Sequence, residues 1–103
     1  MFSFVWDDWN VGHIAKHGVT AAEAEWVVNN ARPPFPKEHG DDKYLVRGQT
    51  QTGEYVQVIY LFEAEAHVDY QEIDLATYDP DAENVYVIHA RPLTRDEKRN
   101  FRK

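Results

Sequence analysis

The chain has 103 residues, 43% hydrophobic and 14% aromatic, with no cysteine and a formal net charge of −7. That length and composition predict a single domain with a small packed core, and they exclude disulfides, thiolate metal sites and a cysteine nucleophile. The acidic balance argues against a surface that is basic all round for nucleic acid.

Residues 2–6 read as a short strand with Phe2, Phe4 and Trp6 on one face. No basic stretch precedes an apolar one here, so no secretory leader is expected. The longest apolar run in the strand region, residues 58–62, is far short of a membrane span. Together with the missing cysteines, this points to a cytoplasmic protein with no membrane partner. Asp7 or Asp8 can cap a helix over residues 8–17, with Val11, Ile14 and Ala15 as its apolar stripe and Gly18 ending it in the left-handed region. Thr20 and Glu23 form a capping box for a second helix over residues 21–29. Ala21, Ala24 and Val28 share one of its faces, flanked by Val27, and Trp26 lies on another. The proline-rich run from Arg32 to Pro36 must be a connecting loop.

After an acidic loop at residues 38–42, residues 43–49 and 54–62 read as two strands of a hairpin turning at Thr50-Gln51-Thr52-Gly53. The second strand is apolar on both faces, which marks it as central in its sheet. Residues 63–78 are ambiguous between strand and helix, and Asp79-Pro80-Asp81 is a turn. Residues 84–90 form a clear strand, with strict alternation placing Val85, Val87 and His89 on one face and Tyr86, Ile88 and Ala90 on the other. Thr94 and Glu97 form a second capping box, opening a basic C-terminal helix. The outline is α+β: a small antiparallel sheet, two N-terminal helices packed on it, and a C-terminal basic helix.

Charge is sorted along the chain. Residues 1–90 carry 5 Lys/Arg and 16 Asp/Glu, net −11, whereas residues 91–103 carry 6 Lys/Arg and 2 Asp/Glu, net +4. Any contact with a polyanion is therefore expected near the end of the chain.

Three groups of residues bear on chemistry. His13 and His17 share a helix face at i, i+4, but the stretch lacks the glutamate of a zinc-protease motif and a nearby third ligand. A solvated helix face explains them, and no metal or other cofactor is expected. Asp79, Asp81 and Asn84 lack the glycine and distal glutamate of a calcium loop. The third group is more informative. His89 and Arg91 have the same parity at the end of the last strand, and Arg47 lies mid-hairpin. A histidine for proton transfer with two arginines for a phosphate matches what RNA cleavage through the 2′-hydroxyl requires. The plainer alternative is that Arg91 pairs with a carboxylate and His89 is a hydrogen-bonded edge residue.

Three stretches carry a family resemblance. Phe4-Val5-Trp6-Asp7, followed by His13-Ile14-Ala15-Lys16-His17-Gly18-Val19-Thr20 and Glu23-Ala24, resembles the opening of the BrnT family of toxins. Tyr44-Leu45-Val46-Arg47-Gly48-Gln49-Thr50 resembles that family's second strand. Val87-Ile88-His89-Ala90-Arg91-Pro92-Leu93-Thr94-Arg95-Asp96-Glu97-Lys98-Arg99 resembles its closing strand and basic helix. The resemblance covers roughly residues 2–62 and 85–103. It implies a RelE-like fold over a single domain, residues 1–103, and a translation-arresting ribonuclease. It also implies an antitoxin partner of BrnA type, a ribbon-helix-helix protein. Lys16, His17, Arg47, Arg91, Thr94 and Glu97 fall on motif positions, and His89 stands where many members have serine. On this reading His89, Arg91 and Arg47 act on the phosphodiester, while Lys16, His17, Arg95, Lys98 and Arg99 hold the RNA. The chain departs from the family in its acidity and in an acidic insertion at about residues 63–84. Those departures favour an alternative, a non-catalytic protein-interaction module of the same fold.

Overall fold

The computed structural model describes residues 2–62 and 84–102. The expectations for residues 63–83, including most of the acidic insertion and the Asp79-Pro80-Asp81 turn, lie outside the described residues. In chain order the elements are β1 (Ser3–Val5), α1 (Asp8–Ala15), α2 (Ala21–Asn29), β2 (Lys37–Glu38), β3 (Lys43–Gln49), β4 (Tyr55–Phe62), β5 (Asn84–Pro92) and α3 (Arg95–Phe101). The strands form one sheet in the order β1-β5-β4-β3-β2.

The architecture is α+β, and β4 is central as its two apolar faces predict. Two features correct the expected sheet. It is mixed rather than antiparallel, because β1 runs parallel to β5 with Phe4 opposite Val85. It also has an extra edge strand, β2, which pairs with Tyr44 and Leu45 of β3. The last strand begins at Asn84 as expected and runs on to Pro92.

One sheet face carries the core. Val46, Val56, Val58, Tyr60, Val85, Val87 and Ala90 are buried there with Phe4 of β1, Ile14 of α1 and Ala24, Val27 and Val28 of α2. Each fully buried aliphatic side chain contributes about 1.5–3 kcal/mol. Phe2, Trp6, Phe35, Tyr44 and Phe62 pack around its margin. On α2 the buried face is Ala24, Val27 and Val28, and Trp26 is left exposed.

Both predicted capping boxes form, at Thr20 and Thr94, and Asp7 rather than Asp8 caps α1, in a further box with Asn10 that the sequence reading did not include. Gly18 has φ +77° just beyond α1, in the region where a Cβ is penalised. The expected stripe of α1 is corrected. Ile14 is buried but Val11 and Ala15 are exposed, and the buried neighbour of Ile14 is the polar Asn10. The reason is hydrogen bonding. Asn10 Nδ2 donates to the Val5 carbonyl at 3.0 Å and its Oδ1 accepts from the Asp7 backbone N–H at 2.8 Å. This ties α1 to the end of β1 and fixes which face turns inward.

Candidate functional site

The sheet face opposite the core holds the predicted chemistry, and strand register places it. Arg47 lies opposite Gln57, and Gln57 lies opposite Arg91. The three side chains therefore form one row across β3, β4 and β5. In the next row Leu45 lies opposite Ile59, and Ile59 opposite His89.

His89 reaches this face only through a β-bulge. Ile59 pairs with His89 but Tyr60 pairs with Val87, so Ile88 is an extra residue on β5. Strict alternation predicted His89 on the side of Val85 and Val87. The bulge reverses the parity after Val87, sends Ala90 into the core and turns His89 and Arg91 to the opposite side. The expectation that His89 and Arg91 share a face holds, while the face assigned to His89 is corrected.

The two arginines meet on one carboxylate. Arg91 Nη1 and Nη2 donate to Glu97 Oε1 and Oε2 at 2.7 and 2.8 Å. Arg47 Nη2 donates to Glu97 Oε2 at 3.0 Å, and its Nε donates to Gln57 Oε1 at 3.0 Å. The Glu97 carboxylate also accepts the Thr94 backbone N–H at 2.8 Å, closing the capping box of α3. The Arg91 hydrogen bonds come first among the causes that hold Glu97 far below the usual carboxylate range, followed by the Thr94 N–H. Such a carboxylate is a weak proton acceptor and a strong clamp for guanidinium groups. The same pairing raises Arg91. Side-chain exposures of 28% for Arg47, 29% for Arg91 and 20% for Glu97 keep the cluster in reach of solvent.

His89 is part of an imidazole cluster. Its ring centroid lies 5.1 Å from that of His17 and 5.7 Å from that of His13, and His13 and His17 are 6.1 Å apart. Burial lowers the His89 pKa, and the positive potential of His17, His13 and Arg91 lowers it further. Near neutral pH the ring is therefore an uncharged proton acceptor with other imidazoles beside it. Among the described residues, no group of three or more His, Asp or Glu is arranged to hold a metal ion.

The remaining predicted residues fall at two places. Lys16 is exposed at the C-cap of α1, next to His17. Arg95, Lys98 and Arg99 line a concavity of about 400 Å³ together with Arg102, which sequence reasoning did not single out. Their spacing of i, i+3, i+4 and i+7 is the signal for one helix face. Glu97 and Phe101 lie on the inward side of α3, where Phe101 packs on Tyr55 and Phe35. His13 is the other omission. Its i, i+4 relation to His17 was legible, but its nearness to His89 depends on tertiary packing. No helix of the described residues is long and apolar enough to cross a membrane. Comparison with known protein families, curated proteins and solved structures finds no significant match.

Proposed function

We propose that this chain is a cytoplasmic endoribonuclease toxin of a type II toxin–antitoxin pair, of BrnT type with a RelE-like fold. Its cleavage of RNA through the 2′-hydroxyl is independent of metal. The observation that carries this reading is the meeting of His89, Arg91 and Arg47 on one sheet face, joined through Glu97 to the basic helix α3. His89 takes the 2′-hydroxyl proton, O2′ attacks phosphorus, and the P–O5′ bond breaks. The leaving oxygen takes a proton from a neighbouring acid, for which His17 and His13 stand within ring contact of His89. The products are a 2′,3′-cyclic phosphate and a 5′-hydroxyl. Arg91 and Arg47 face the phosphate with the N–H donors that Glu97 leaves free, and Arg95, Lys98, Arg99, Lys16 and His17 hold the RNA backbone. The partner is a ribbon-helix-helix antitoxin of BrnA type.

Expression without the antitoxin is expected to arrest growth, and purified protein to cut RNA in excess chelator. His89→Ala and Arg91→Ala should each lower cleavage by at least 100-fold, the scale of one acid–base or electrostatic group. Wild-type protein that neither arrests growth nor cuts RNA would sink the reading. It would leave the second one, a non-catalytic protein-interaction module of the same fold. That alternative draws support from Glu97, which already supplies both arginines with an anion. A short ribbon-helix-helix reading frame adjacent to the gene would favour the toxin.

A further inference from the structure

Trp9 is exposed to 55%, the highest value among the large apolar side chains of the described residues. It is nevertheless held in place. Its ring stacks on His13 with centroids 4.9 Å apart and planes within 6°. It also lies nearly parallel to Tyr86, at 6.4 Å and 15°. The Tyr86 hydroxyl in turn donates to Asp7 Oδ2 at 2.8 Å, and Asp7 is the N-cap of the helix that carries Trp9. More than half of a fixed indole is thus left to solvent. Fold stability supplies no reason for this, since an apolar ring gains by burial.

The position of the ring suggests its use. Tyr86, His89 and Arg91 project from the face of β5 that bears the site. From Trp9 the contacts run through His13 to His89, and from His89 along the strand to Arg91. An aromatic plane thus adjoins a proton-transfer group and a guanidinium. Single-stranded nucleic acid is bound by this pairing of features, an aromatic face for the base and cations for the phosphate. Trp9 is flanked by the flat polar rings of His13 and Tyr86, which continue a stacking surface toward the cations.

We propose that Trp9 is a stacking platform for an unpaired nucleobase of single-stranded RNA, one that flanks the phosphate at His89 and Arg91. The proposal rests on the ribonuclease reading and adds to it a base subsite on α1. Stacking on an indole is open to every base, so the subsite contributes affinity and placement with little sequence preference.

The test is binding of a fluorescein-labelled, 2′-O-methylated single-stranded oligonucleotide, followed by anisotropy at fixed salt. This probe lacks the nucleophilic hydroxyl and cannot be cut. Trp9→Ala should weaken binding about 5- to 150-fold, the usual worth of one stacked base, and Trp9→Phe should retain most of the affinity. Against the same oligonucleotide made wholly abasic, wild type and Trp9→Ala should bind alike. Because Trp9 is exposed, its variants should keep the wild-type thermal midpoint, measured alongside. Wild-type binding that Trp9→Ala leaves untouched overturns the platform while the ribonuclease reading stands. An equal loss on the abasic probe also overturns it, since the ring would then act without a base. No binding by wild type overturns both readings. Should Trp9→Ala spare RNA but abolish binding to the antitoxin, the ring belongs to a protein interface and the proposal fails.

Discussion

A single carboxylate, that of Glu97, caps α3 and holds Arg91 and Arg47 together. His89, by contrast, owes its properties to surroundings that disfavour charge: partial burial, two further imidazoles and Arg91. Its folded-state pKa lies below the ordinary value of about 6.5. The sign of the consequence follows from that direction. The unfolded chain protonates this ring as pH falls through about 6.5, while the folded chain does so only at lower pH. The stability that His89 contributes by staying neutral is therefore present above about 6.5 and is lost as pH falls toward the folded value. In the proposed reaction such a ring, as the base, keeps working into mildly acidic solution. Followed by NMR, the His89 ring should titrate below 6.5, and His17→Asn should move its midpoint upward by removing one of the electrostatic interactions that lower it. A midpoint at or above 6.5 in the wild type would refute this account of the ring.

At the scale of elements, what the sequence revealed and what it hid divide by range. Capping boxes are local, and Thr20-x-x-Glu23 and Thr94-x-x-Glu97 could be read directly. The central position of β4 could be read from its apolar residues on both faces. The parallel partner of β1 could not, because a three-residue strand encodes no choice of neighbour. β2 was hidden because its two residues are exposed and lie between prolines and an acidic turn. The bulge at Ile88 left no mark, since Val85 to Ala90 alternates without it, yet it aims His89. The reach of Glu97 to Arg47 spans 50 residues and required the whole sheet. This separates two variants on α3. Thr94→Ala removes only the cap and should cost about 1 kcal/mol. Glu97→Ala removes the N3 partner and frees two guanidinium groups, and should cost about 1–3 kcal/mol, moderated by partial exposure. Urea denaturation should rank Glu97→Ala as the more destabilised. Equal midpoints would mean that the arginine contacts add no stability.

For the whole molecule, the proposed function must be squared with a net charge of −7. The average is misleading because the charge is sorted, with net +4 in residues 91–103 and net −11 before them. α3 sorts it again around its own axis. Glu97 is turned in to the arginines, and Arg95, Lys98, Arg99 and Arg102 surround one concavity. Arg47 and Arg91 share an anion already, so on the proposed function the four cations of α3 supply most of the attraction for a polyanion. Neutralising Z phosphates of a single strand gives a slope of about −0.7Z for log affinity against log salt. Four contacts thus predict a slope of about −3 for the uncut oligonucleotide. The double variant Lys98→Glu, Arg99→Glu should weaken binding and make the slope shallower by about 1.4. Trp9→Ala should weaken binding without changing the slope, because a stacked base releases no counterion. A wild-type slope near zero, or a slope unchanged in the charge-reversed variant, would place the RNA away from α3. On the proposed function, the net charge of −11 over residues 1–90 disfavours a polyanion away from α3, so the slope and its loss in the charge-reversed variant locate the RNA.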